Sequence, residues 1–330
     1  MRLIATASLA HAVSSSSGLG FLGAGTDLSS FSSLLSEAAS ACESKPITPT
    51  PTSVLPIGVG FICWGADLPT AEKVIEAALL KPCAVWLFAP KDTSDIIAWS
   101  VRIRKASDNL TKIWVQVGTV ANALEVAKTC KPDVLVIQGA DAGGHGLAQS
   151  SSIISLLPEC ADALEREGFG NIQLIATGGI ADGRGVAAAV ALGASGVCMG
   201  TRFLASPESV ISQGYRDAVV KASDGGVSTA RTTVYDKIRG TPGWPSIYNG
   251  RGVLNQSFWD YVKGMGDDEN AKLYEAEMKK GDEGWGDKGR MTTYAGTGVG
   301  LIQQVMPAAE IVQEVLRDCK ERLSKASNIV

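Results

Sequence analysis

The sequence predicts an α/β fold of the parallel barrel type, and three observations carry that prediction. Seven short apolar runs alternate with alanine-rich amphipathic segments, the pattern of successive βα units. One of these runs, Val134 to Ile137, is continuously apolar and rich in branched side chains, which suits a strand covered on both faces. The last two runs each end in a glycine-rich turn. A chain of 330 residues and 34.3 kDa with 45% hydrophobic residues has enough apolar material for one large α/β core.

The opening segment, Met1-Arg2 followed by Leu3 to Ala12, has the form of a short signal peptide or of a structural helix. Its apolar part is short, contains Thr6 and Ser8, and leads directly into Gly18 to Gly25, which reads as a core strand. We therefore read it as a helix and expect a cytoplasmic protein. Strands are expected at Leu19–Ala24, Leu55–Ile62, Ala84–Ala89, Lys112–Val117, Val134–Ile137, Gln173–Thr177 and Gly196–Met199. Helices are expected between them at Leu28–Cys42, Thr70–Leu80, Thr93–Lys105, Val120–Cys130, Ile153–Glu167, Gly183–Leu192 and Pro207–Lys221. Ser44–Ser53, with Pro46, Pro49 and Pro51, reads as a surface connection. Residues 1–221 form the expected barrel core. Residues 222–330 form an expected lid, with irregular loops at Gly240–Gly252 and Gly281–Gly289, a helical piece at Asn270–Lys280 and a closing amphipathic helix at Pro307–Leu323.

Composition excludes several functions. The net charge of −4 comes with no basic run, so a nucleic-acid partner is not expected. No apolar run reaches the roughly 20 residues that cross a membrane, so no membrane partner is expected either. Seven scattered cysteines without a Cys-x-x-Cys pair suit reduced thiols. With only two histidines, a metal site would need cysteines or carboxylates gathered from distant positions, and none is expected.

Two stretches carry chemistry. Leu174 to Ala189 reads as a strand, a Gly178-Gly179 turn and a helix starting near Asp182. Ser195 to Phe203 repeats the pattern, with Gly200 and Thr201 at its turn. A single Gly-Gly pair only permits a tight turn. Two consecutive strands with such turns present backbone N–H groups where α/β barrels dock phosphate. The strand at Val134 runs into Gln138 and then Gly139, Gly143, Gly144, His145 and Gly146. His145 is the side chain there that can move a proton near neutral pH. A ligand held by its phosphate at Gly178, Gly179, Gly200 and Thr201 would extend its ring toward Gln116, Gln138 and His145, whose neighbours at the strand ends share one barrel mouth.

These residues resemble the flavin-dependent nitronate monooxygenases, formerly 2-nitropropane dioxygenases, and especially their fungal members. The likeness rests on Leu9 to Ser14, Gly18 to Gly25, Pro56 to Phe61, Val85 to Pro90, Gln138 to Gly146, Ala176 to Ile180 and Met199 to Phe203. It implies a (β/α)8 TIM barrel binding FMN without a covalent link, with His145 as catalytic base. It also implies FMN contacts at Gln116, Gln138, Gly143, Thr177, Gly178, Gly179, Gly200 and Thr201. The implied reaction is oxidation of an alkyl nitronate or nitroalkane by O2 to a carbonyl compound and nitrite. Tyr294 to Gly300 resembles a late glycine-rich segment that approaches the site in that family, or is a loop before the last helix. Trp244, Trp259 and Trp285 are candidates to line or simply pack the lid.

The likeness departs at the start. Family members carry a first strand ending in a small-Pro-Met turn, and Met1 falls where that methionine would be. A barrel without its first strand is therefore expected, with two unpaired edges and a gap beside the cofactor. An incomplete start and a natural truncation both account for this. Two other functions fit the same motifs: an NADH-dependent FMN reductase acting on quinones or enoyl thioesters, and an inactive barrel that only binds.

Overall fold

The computed structural model describes residues 3–48, 53–241, 243–286 and 288–327. The chain opens with α1 (Ala7–Ser14), β1 (Phe21–Gly25), α2 (Phe31–Ser44), β2 (Val54–Ile62), α3 (Leu68–Ala77), β3 (Lys81–Phe88), α4 (Thr93–Ala106), β4 (Lys112–Val117), α5 (Val120–Cys130) and β5 (Val134–Gln138). It continues through β6 (Gly144–Leu147), α6 (Ile153–Arg166), β7 (Gln173–Thr177), α7 (Gly183–Ala191), β8 (Gly196–Cys198), α8 (Thr201–Leu204) and α9 (Gln213–Lys221). The last part holds α10 (Gly225–Ser228), β9 (Thr229–Thr232), α11 (Val234–Ile238), β10 (Tyr248–Val253), α12 (Gln256–Val262), α13 (Asp267–Met278) and α14 (Ala308–Ser327).

Seven strands form one parallel sheet in the order β1-β2-β3-β4-β5-β7-β8. It is the half-barrel sheet of a TIM-type fold. All seven expected strands are present. Five of the helices between them, all but α2, start on side-chain caps: Asp67, Asp92, Thr119, Ser152 and Asp182 each accept from a backbone N–H in the first turn. One face of the sheet, with Leu22, Val59, Val85, Leu87, Ile113, Leu135 and Ile137, is buried against these helices. The other face carries Phe21, Trp86 and Trp114, whose rings pack at centroid distances of 5.1 to 6.2 Å. Gly58 pairs with Phe21 and makes room for that ring, since a Cβ on Gly58 would reach the Phe21 Cδ1 at 2.5 Å.

Among the described residues the sheet lacks a first strand, as expected, though residues 3–5 run beside its β1 end: Gly23 N–H donates to the Ala5 carbonyl at 2.8 Å, and Val210 N–H to the Ile4 carbonyl at 3.3 Å. Residues 3–5 thus lie between β1 and the segment after β8. Two other expectations change. Gly240–Gly252 is not wholly irregular, because β10 pairs antiparallel with both β6 and β9 in a second, three-stranded sheet. The helix expected from Pro207 begins only at Gln213, because the Ser209 hydroxyl closes a turn onto the carbonyls of Leu204 and Ser206. The Ser44–Ser53 connection falls in part outside the described residues; its start, Lys45, accepts from His11 Nε2 at 2.8 Å. The opening segment forms α1, with Ala7, Leu9, Ala10 and Ser14 buried. Among the described residues no helix is long and apolar enough to cross a membrane.

Candidate active site

The parallel strands bring their C-terminal ends together, and a cavity opens there. It is lined by Gln138, Gly143, Thr177, Gly178, Gly179, Gly200 and Thr201, joined by Gly296 and Gly298. Seven of the eight residues expected around a cofactor therefore share one space. The eighth, Gln116, lies on β4 in register with Val136, two positions before Gln138 on the neighbouring strand. Its amide oxygen accepts from the Trp86 indole N–H at 3.1 Å.

The cavity has the chemistry of an anion cradle. Gly178 and Gly179 have φ of +114° and +73°, a backbone region that glycine enters without strain. A Cβ on Gly178 would press on the Gly139 carbonyl at 3.0 Å, and one on Gly179 on the Asp141 Cβ at 3.0 Å. Gly200 faces open space. Among the described residues, no group accepts a hydrogen bond from the amides of Gly178, Gly179, Gly200 or Thr201. N–H groups left without an acceptor on residues lining one cavity fit a phosphate. The N-terminus of α7 carries its own cap: the Asp182 carboxylate accepts from the N–H groups of Arg184 and Gly185 at 2.9 and 3.3 Å.

The segment Tyr294–Gly300 closes one side. Gly296 N–H donates to the Thr201 hydroxyl at 3.0 Å, and Thr297 donates through its N–H and hydroxyl to Asp141 at 3.0 and 3.1 Å. Arg231 draws the 140–144 loop together by donating to the carbonyls of Ala140, Ala142 and Gly144 at 3.3, 3.0 and 3.4 Å. Burial, with Arg251 beside it, pushes the Arg231 guanidinium down to about 10, which leaves it charged at neutral pH.

His145 sits on β6, not in a turn, and β6 is held by β10 across the register pair His145–Gly250. Gly144, at φ +67°, bends the chain into that strand. The Gln138 amide donates to the His145 carbonyl at 3.1 Å and so links the histidine to the cradle. The imidazole Nε2 lies 2.9 Å from both carboxylate oxygens of Asp236 on α11. Both side chains are only 13% exposed. Oδ1 of Asp236 also accepts from the hydroxyls of Thr241 at 3.1 Å and Tyr294 at 3.2 Å. Burial, reinforced by the Asp236 charge, pushes the Tyr294 hydroxyl well above its usual range, so it stays protonated and donates. Trp244 stacks flat on the imidazole, with centroids 3.7 Å apart and planes within 3°. Trp244 thus covers the histidine, whereas Trp285 packs against Tyr215 and Trp259 is 45% exposed.

Asp236 was not among the residues expected from sequence. It lies 91 positions after His145, in a five-residue helix with no motif of its own.

A glycine-lined cavity at the strand ends of a parallel βα fold, joined through Gln138 to a buried histidine–aspartate pair, is the arrangement of a barrel oxidoreductase. The chain belongs to the nitronate monooxygenase family, whose sequence profile matches residues 100–318. It is 47% identical to nitronate monooxygenase npaC of Metarhizium robertsii over 95% of this chain and 87% of that protein. It is 37% identical to a nitronate monooxygenase of Neurospora crassa over 98% of this chain and 89% of that one. The solved structure of FabK from Thermotoga maritima superposes with a TM-score of 0.75 at 27% identity, covering 100% of this chain and 94% of that one. The family is flavin-dependent, and the cradle fits the phosphate of such a group.

Proposed function

We propose that this protein uses FMN to oxidise alkyl nitronates, and neutral nitroalkanes after their deprotonation, with O2 to a carbonyl compound and nitrite. The observation that carries this reading is the His145–Asp236 pair joined through Gln138 to the anion cradle. Gly178, Gly179, Gly200 and Thr201 would hold the FMN phosphate, with Gly143 and Thr177 lining its path. Gln116 and Gln138 would meet the heteroatoms of the ring through their amides. Bound FMN would supply the electron acceptor and the route of those electrons to O2.

The chain's own work is proton chemistry and enclosure. A neutral nitroalkane must lose its α-proton before it can be oxidised, and a positioned imidazole contributes about 10²–10⁴-fold to such a step. His145 takes that proton. With a substrate supplied as the nitronate anion no proton needs to move, and the same ring acts only in binding. Trp244 and Tyr294 keep bulk water from the imidazole.

Oxygen uptake and nitrite release, assayed with a nitroalkane and with its nitronate, test the reading. His145→Asn is expected to abolish turnover of the neutral substrate while the purified protein keeps its flavin spectrum. Unchanged turnover of the neutral substrate would sink the assignment.

A further inference from the structure

We infer that Asp236 is a positioning residue that fixes the proton of His145 on Nε2 and so makes Nδ1 the basic nitrogen. The inference rests on the reading of His145 as the base and says which of its atoms does the work. Nε2 faces two carboxylate oxygens at 2.9 Å, an arrangement that only an N–H on that nitrogen satisfies. Among the described residues Nδ1 has no hydrogen-bond partner. Trp244 lies flat on one face of the ring, and Tyr294 stands at its side with centroids 5.3 Å apart, so the ring cannot turn over without displacing both.

The proton step then has a defined direction. The Cα–H bond of the nitroalkane breaks, its electron pair moves onto the nitro group to give the nitronate, and the proton goes to Nδ1. The imidazolium so formed keeps its Nε2–H on the Asp236 carboxyl group, and the pair needs no rearrangement.

The surroundings of Asp236 make the test sharp. Thr241 and Tyr294 both donate to Oδ1, so this position demands an oxygen. In Asp236→Asn the amide oxygen stays there, and the NH2 group takes the place of Oδ2, pointing at Nε2. Oδ1, which is equally close to Nε2, has its two lone pairs taken by the Thr241 and Tyr294 hydroxyls, so with an NH2 donor at the other position Nε2 must accept and the ring proton moves to Nδ1. The variant is isosteric yet carries the wrong tautomer.

The experiment is nitrogen-15 NMR of the purified protein, wild type and Asp236→Asn, alongside turnover of a neutral nitroalkane and of its nitronate. Only two histidines are present, and His145→Asn assigns their signals. The expected result is Nε2–H with bare Nδ1 at His145 in the wild type and the reverse in Asp236→Asn. The ratio of neutral-substrate to nitronate turnover is expected to fall by at least about 10²-fold in the variant. A wild-type proton on Nδ1 overturns the inference. So does a tautomer that Asp236→Asn leaves in place, or a reversed tautomer with an unaltered turnover ratio. If the wild type oxidises neither substrate, the proposed function fails, and the wild-type nitrogen spectrum still decides the positioning role.

Discussion

At the scale of single residues, two glycines of the cradle separate what the fold needs from what the ligand needs. A Cβ on Gly143 would collide with the backbone of Ala295 and Gly296, which cannot yield as a flexible side chain would. Gly143→Ala is therefore expected to destabilise the protein by about 1–3 kcal/mol, as overpacking does, and to loosen the Tyr294–Gly300 segment. Gly200 meets nothing within 4 Å, and its φ of −103° suits any residue. Gly200→Ala should leave stability within about 0.5 kcal/mol of wild type while its methyl enters the space proposed for phosphate. Thermal melts and flavin titration of both variants check this. Equal loss of stability in the two would show that the cradle is shaped by packing alone. His145 was legible in the sequence because a rare residue followed a buried strand and a glycine cluster. Asp236 was not, because its role depends on folding 91 intervening residues back over the barrel mouth, and Val234–Ile238 has no local signal for that.

Whole elements follow the same division. Strands covered on both faces read as apolar runs, so all seven parallel strands were legible. The three strands over the site were not: Gly144–Leu147, Thr229–Thr232 and Tyr248–Val253 are short, glycine-rich or polar, and only pairing with each other defines them. The joint between β4 and β5 shows how polar groups tie parallel strands together. Asp133, just before β5, accepts from the Ile113 N–H at 2.8 Å and pairs with Arg104 and Lys112 at 3.0 and 3.2 Å. Burial works against its charge, but the Ile113 N–H and the two cations outweigh it and hold the carboxyl below its usual range. A lowered folded-state value means that the stabilisation is complete above the ordinary carboxylate pKa, near 3.9, and is lost as pH falls through the folded value. Asp133→Asn is expected to cost about 1 kcal/mol at pH 7, since its partners are partly exposed. The difference from wild type should shrink below about pH 4. Urea unfolding at pH 7 and at the lowest pH where the wild type still folds measures both, and a pH-independent difference would refute the account.

At the scale of the molecule, the question is what holds the two ends of a seven-stranded sheet in place. The last helix, α14, lies across them. It packs on α7 so closely that a Cβ on Gly183 would meet the Asp318 Cβ and the Val315 carbonyl, both at 2.7 Å. It reaches the end of α1 through Gln313, whose amide donates to the Ser16 carbonyl at 2.9 Å. Its own start is capped by the Glu208 carboxylate, which accepts from Ala308 N–H at 3.1 Å through both oxygens. The helix therefore braces α7, which follows the Gly178–Gly179 turn, and the segment after α8, which follows Gly200. Both halves of the cradle lean on it. Ile311, 1% exposed, sits in the buried stripe of α14, and Ile311→Ala is expected to cost about 2–5 kcal/mol. A ligand that binds only the folded state stabilises by RT ln(1 + [L]/Kd), about 2.7 kcal/mol at a hundredfold excess over Kd. If α14 only stabilises the fold as a whole, added FMN would contribute the same increment to wild type and variant. Because α14 supports the turns of the cradle, the increment is expected to be smaller in Ile311→Ala at equal FMN concentration. Paired denaturant titrations with and without FMN decide between the two, and equal increments would reduce α14 to a general staple with no bearing on the site.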